Sequence, residues 1–143
     1  MTEPAREKIV VTNDTKFLSV VRDFVANQTQ TNNIAPDSAN KIILAVDEAV
    51  ANIIEHAYEE QITGTIEIET EISETRFKIS IRDSGKKFRP DSVETPNMTE
   101  HVKSGKKKGL GIFLMRQIMD EVRYVFKEGI QNELVLVKYL RTG

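Results

Sequence analysis

The sequence predicts an α+β fold: a two-layer sandwich in which a mixed, mostly antiparallel sheet carries its helices on one face. Two observations predict it. Segments with period-two alternation occur as adjacent pairs joined by short turns, which is the mark of antiparallel hairpins. Segments with three-and-four apolar spacing fall between and after them, so helices are inserted as blocks and do not alternate with every strand. At 143 residues the chain has a natural size for one domain, and residues 1–143 are expected to form a single unit.

The elements follow in order. The short apolar run at 8–11 (Lys8, Ile9, Val10, Val11) is a first strand. Asn13, Asp14 and Thr15 are good helix N-cap types, and Phe17, Leu18, Val21, Phe24 and Val25 after them give one apolar helical face. The amide-rich stretch 27–33 is expected to be a loop. Pro36 suits the first turn of a second, longer helix, whose apolar positions are Ile42, Val46, Ala49, Val50, Ile53 and Ala57. After Gly64, Ile66, Ile68, Thr70 and Ile72 alternate with Glu67, Glu69 and Glu71. Phe77, Ile79 and Ile81 then alternate with Lys78, Ser80 and Arg82. These are two strands of a hairpin around Ser73, Glu74 and Thr75, with the acidic and basic rows paired across it.

From 84 to 108 the pattern collapses into a stretch with two prolines, two glycines and seven Lys/Arg against three Asp/Glu. A long structureless insert in a compact domain is usually a functional lid or a disordered segment. Order resumes at Gly109, Leu110 and Gly111 with a helix carrying Ile112, Leu114, Met115, Ile118 and Met119. Strands at 122–126 and 134–140 close the chain around Gly129.

Composition excludes several functions. A formal net charge of -2 disfavours a bulk nucleic-acid binder. The absence of cysteine removes disulfide scaffolds, thiolate metal sites and thiol catalysis. No signal-type apolar segment or run of about 18 apolar residues is present, so a soluble, cytoplasmic protein with no membrane partner is expected. Two histidines, His56 and His101, make a multi-histidine metal site unpromising.

Three constellations carry chemistry. On the second helix, Glu48, Asn52 and His56 form one stripe beside the apolar face. A carboxylate and an amide oxygen one turn apart can reach the same ion or water. An Asn oxygen suits Mg2+, and a carboxylate can take a proton from an attacking hydroxyl. The same stripe is also what a solvent-facing polar face looks like. Asp83 ends a strand, and Gly85 two residues on permits close backbone approach of a flat ligand, with the carboxylate accepting from an exocyclic amine such as that of adenine. An ordinary Asp-x-Gly turn has the same residues. Lys106, Lys107 and Lys108 lead into Gly109, Leu110 and Gly111 at a helix start, a combination that suits a triphosphate or a plain basic loop. No Walker A loop or protein-kinase catalytic loop is present.

In this order, the helical Glu-x-x-x-Asn, the strand-end Asp-x-Gly and the Gly-x-Gly helix start resemble the N, G1 and G2 boxes of the Bergerat-fold (GHKL), histidine-kinase-like ATPases. Longer words sharpen the resemblance: Leu44 through Asn52, Glu55-His56-Ala57-Tyr58 and Leu110 through Met115 look like the anti-sigma-factor serine/threonine-protein kinases of partner-switching systems. The likeness runs from about residue 8 to 140.

It implies the Bergerat sandwich, with 84–108 as its ATP lid, and ATP with Mg2+ as cofactors. Glu48 would be the general base, Asn52 the Mg2+ ligand and Asp83 the adenine acceptor. His56, Gly85, Gly109, Leu110 and Gly111 would line the nucleotide, Lys107 or Lys108 would meet phosphate, and Arg22 would be presented to protein partners. The partners implied are a STAS-domain anti-sigma-factor antagonist, which such kinases phosphorylate, a sigma factor, which they sequester, and a second copy in a homodimer. Lys87 stands where a full Asp-x-Gly-x-Gly box has its second glycine. Gln131 and Asn132 stand where the family often has Gly-Thr, and Asn132 is the candidate to replace that Thr beside adenine. These departures motivate an alternative, an ATP-gated binding protein without significant kinase activity.

Overall fold

The structure, a computed structural model, describes residues 5–59, 64–83, 110–127 and 131–140. The elements are β1 (Ala5–Thr12), a short 3-10 turn (Thr15–Phe17), α1 (Leu18–Thr31), α2 (Pro36–Glu59), β2 (Thr65–Ile72), β3 (Arg76–Asp83), α3 (Leu110–Ile118), β4 (Glu121–Lys127) and β5 (Gln131–Tyr139). The five strands form one sheet in the order β1-β2-β3-β5-β4, every neighbouring pair antiparallel. The expected α+β sandwich is what forms.

The alternation of the sequence decides the two faces. Ile66, Ile68 and Ile72 of β2, Phe77, Ile79 and Ile81 of β3, and Leu134 and Leu136 of β5 make one continuous core with Val21 and Val25 of α1, Val46 and Val50 of α2 and Met115 of α3. The opposite face carries the charges. Glu67 sits across from Arg82 and Glu71 from Lys78, as the rows in the sequence anticipate. Arg82 does more than pair once: its guanidinium donates to Glu67 at 2.6 Å, to Glu69 at 3.1 Å and, on β5, to Glu133 at 2.6 Å. Burial alone would lower the basicity of Arg82, but its hydrogen bonds to Glu67, Glu133 and Glu69 outweigh that and raise it. The same hydrogen bond holds the Glu67 carboxyl below its ordinary 4.5.

One expectation is corrected. Residues 27–33 do not form a loop throughout, because α1 continues to Thr31. Two polar residues of its last turn are buried, Gln28 7% and Thr29 3% exposed, and each finds a partner. The Gln28 side-chain Oε1 accepts from the hydroxyl of Thr70 on β2 at 3.3 Å, and the Thr29 hydroxyl donates to the Ala26 backbone carbonyl at 2.8 Å. Satisfied in this way, amide and hydroxyl side chains enter a core that their composition argues against. The helix ends where Asn33 takes φ 57°, a left-handed conformation that Asn tolerates. Asn33 N–H then bonds the Gln30 carbonyl and Ile34 N–H the Thr29 carbonyl, the pairing of a Schellman stop. At the other end, Asp14 accepts from the Lys16 amide at 3.0 Å, which caps the 3-10 turn leading into α1.

Two predictions follow from these networks. Folding lowers the Glu67 carboxyl, so its contribution is complete above the ordinary 4.5 and is lost as pH falls through the lowered value. Arg82→Met should cost about 2 kcal/mol at neutral pH, and the gap to wild type should narrow under acid conditions, as read by urea denaturation over a pH series. Gln28→Ala should cost about 2 kcal/mol by stranding the Thr70 hydroxyl. The apolar double replacement Gln28→Leu/Thr70→Val should recover most of that loss in the same assay.

Candidate functional site

The register of the sheet builds the site from its centre. On the helix side, residues directly opposite one another form rows that run across all the strands. The row nearest the C-terminal end of β3 reads Val11, Ile66, Asp83, Asn132. Val11 and Ile66 are apolar and buried, as a core row should be. Asp83 and Asn132 interrupt it with a carboxylate and an amide only 4% and 5% exposed. Directly opposed residues of an antiparallel pair bring their Cβ atoms to about 5 Å, so these two side chains share one small polar patch in an otherwise apolar layer. Polar groups are buried in this way where they have partners. One partner of Asn132 is Tyr124 on β4, whose hydroxyl donates to the Asn132 Oδ1 at 2.9 Å.

The second part of the site is on α2. Glu48 and Asn52 are half-buried, next to the buried Ala49, Val50 and Ile53, so the stripe lies at the margin of the core. The Asn52 Nδ2 donates to the Glu48 backbone carbonyl at 2.9 Å. With the amide nitrogen turned back onto its own helix, the Asn52 Oδ1 is directed the other way. That oxygen is the neutral hard donor a magnesium ion accepts, and a carboxylate sits one turn before it. The residues therefore fit a magnesium ion that takes its remaining ligands from phosphate oxygens and water. Among the described residues, no group of three His, Asp or Glu converges as a closed metal cage.

Arg22 lies on α1, half-exposed, and donates through Nε and Nη2 to Asp47 Oδ1 at 3.2 and 2.9 Å. Asp47 precedes Glu48, so this contact ties α1 to the turn of α2 that carries the candidate base. Leu110 and Gly111 open α3. Gly85, Lys107, Lys108 and Gly109, with the whole stretch 84–108, lie outside the described residues, as does the side chain of His56. Sequence reasoning missed Tyr124. Its signal was available: Val122 and Tyr124 alternate inward on β4, the strand paired with the one that carries Asn132.

An ATP-binding two-layer sandwich of histidine-kinase type is the class that this fold defines. A model of the histidine kinase-like ATPase domain matches residues 11–138, and the chain belongs to that family. Within it, the chain is similar to proteins named serine-protein kinase RsbW. It is 29% identical over 143 residues to the one from Halalkalibacterium halodurans, with 97% of this chain and 86% of the relative covered. It is 25% identical over 130 residues to the one from Bacillus cereus, with 88% and 79% covered. Among solved structures, the RsbU and RsbW domains of Rv1364c from Mycobacterium tuberculosis superpose with a TM-score of 0.68 at 16% identity, over 95% of this chain and 32% of that one. The chain thus spans about a third of that larger structure. The SiaB-SiaC complex from Pseudomonas aeruginosa gives a TM-score of 0.64 at 12% identity, over 90% of this chain and 88% of the other. At these identities the structural likeness is one of fold.

Proposed function

We propose that this chain is an ATP-dependent serine/threonine protein kinase and anti-sigma factor of a partner-switching system. On this reading it phosphorylates a STAS-domain antagonist and sequesters a sigma factor, acting as a homodimer in the cytoplasm. The observation that carries the proposal is the pairing of a buried Asp83–Asn132 patch on the sheet with a half-buried Glu48/Asn52 stripe on α2. Its family, and its similarity to proteins named serine-protein kinase, support the choice of reaction.

Each residue then has a separable task. Asp83 accepts from the exocyclic amine of adenine, and its burial makes that contact selective, because an unmatched buried acceptor is costly. Gly85 lets the backbone come close to the base. Leu110, Gly111 and the preceding Gly109 offer backbone amides to phosphate at the start of α3, where the helix adds positive potential. Lys107 and Lys108 supply counter-charge, and His56 flanks the nucleotide one turn after Asn52. Asn52 Oδ1 holds magnesium, which when bound supplies charge neutralisation on the triphosphate. Glu48 takes the proton of the acceptor hydroxyl as its oxygen bonds to the γ-phosphorus and the bond to the ADP oxygen breaks. Phosphoryl transfer asks mainly for positioning and charge, so one base on a long, well-packed helix suffices. Arg22, held by Asp47, is the side chain presented to the protein partner.

A second reading is motivated by two departures: Lys87 stands at the second glycine of the Asp-x-Gly-x-Gly box, and Asn132 replaces the Thr that is common in this family. Under it, ATP gates partner affinity and no phosphate is transferred.

Radiolabelled ATP, Mg2+ and a STAS-domain protein test the first reading, which expects label on a Ser or Thr of that protein. Glu48→Gln should lower transfer at least about a hundredfold and leave ATP affinity within about threefold. Undiminished transfer would remove Glu48 as the base, and tight ATP binding with no transfer to any STAS protein would favour the second reading. ATP at about 100 times its dissociation constant should add about 2.7 kcal/mol to wild-type stability in thermal denaturation. Asp83→Asn should abolish that gain.

A further inference from the structure

We infer that Tyr124 is a positioning residue for base selection: it fixes the orientation of the Asn132 amide, so that the patch on β3 and β5 accepts adenine and rejects guanine. The inference rests on the reading of Asp83 and Asn132 as the base-contacting pair.

Asn132 lies on β5, between β3 and β4. Asp83 is directly across on β3. On the other side, Tyr124 of β4 pairs with Leu134 of β5, which places it diagonal to Asn132 on the same face. Its hydroxyl donates to the Asn132 Oδ1 at 2.9 Å. The oxygen and nitrogen of a planar amide diverge, so holding Oδ1 toward β4 turns the Nδ2 hydrogens to the Asp83 side. The patch is thereby given an order: an acceptor from Asp83, then a donor from Asn132.

Adenine presents the matching order along its Watson–Crick edge, a donor at N6 beside an acceptor at N1. Guanine presents the reverse, an acceptor at O6 beside a donor at N1. A base whose direction is set by its ribose and phosphates meets this order in one sense only. An amide turned through 180° would instead put an acceptor opposite N1, which disfavours the N1 acceptor of adenine and removes the conflict with the N1 donor of guanine. Asn132 is 5% exposed, so its amide has little solvent to compensate a wrong orientation. A hydroxyl on the neighbouring strand is a direct way to fix it.

The test is isothermal titration of the full chain with Mg-ATP and Mg-GTP, for wild type, Tyr124→Phe, Asn132→Ala and the double variant, with thermal melts to establish folding. Wild type should prefer ATP. Tyr124→Phe should lower the ATP-to-GTP affinity ratio on the order of fivefold, the worth of one hydrogen bond. In the Asn132→Ala background the same replacement should change the ratio no further, because Tyr124 acts through that amide. An unchanged ratio in a folded Tyr124→Phe, equal losses in both backgrounds, or a wild type that binds both nucleotides alike would each overturn the inference and leave the nucleotide site standing. A wild type that binds neither nucleotide would instead overturn the underlying reading of the patch.

Discussion

The arrangement of this chain depends on the register of β3 between β2 and β5. Arg82 and Asp83 are consecutive, so they point to opposite faces of the sheet. Arg82 reaches Glu67 on one neighbouring strand and Glu133 on the other, while Asp83 lies opposite Asn132 on the helix side. A slip of one residue would exchange the faces, putting a carboxylate in solvent and a guanidinium in the core. The cluster on the outer face and the polar patch on the inner face are thus two consequences of one pairing. Charge-assisted hydrogen bonds to both neighbours make that pairing specific in a way that the apolar alternation of Ile79 and Ile81 alone would not.

The helix layer places the other half of the chemistry against this fixed reference. A 24-residue helix buries Ile42, Val46, Val50 and Ile53 on the sheet side, which leaves Glu48 and Asn52 at the boundary between core and solvent. That boundary suits a base and a metal ligand, since both must meet a reactant. The Gln28–Thr70 contact holds the end of α1 to β2, and the Arg22–Asp47 contact holds its first half to α2. Between them they leave α1 little freedom to slide along either partner.

Much of this was legible in the sequence because it is periodic. The strands, the long second helix and the rows of opposite charge all follow from alternation, and the motif order carries the family. Two things were not legible. The last turn of α1 was hidden because Gln28 and Thr29 have loop-like composition. Only a partner 42 positions away on β2 turns the buried amide into a satisfied one. Asp83 and Asn132 each stood out separately, yet nothing local states that they are opposite one another or that Tyr124 reaches the second. Those are facts of strand order, and strand order is set by how the hairpins pack together.

The two proposed carboxylates show how environment divides the labour. Asp83 is nearly inaccessible, on a strand held on both sides, next to an amide. Its surroundings suit an acceptor that reads a fixed donor and takes no part in proton transfer. Glu48 is half-buried on a helix surface, where water and a protein hydroxyl can both approach, and that accessibility is what a base needs. Exchanging their positions would give a reader that solvent satisfies without the base and a base that no substrate hydroxyl reaches. On the proposed function, then, recognition belongs to the sheet and reaction to the helix. The start of α3, a helix that packs on α2, is where the triphosphate would join them.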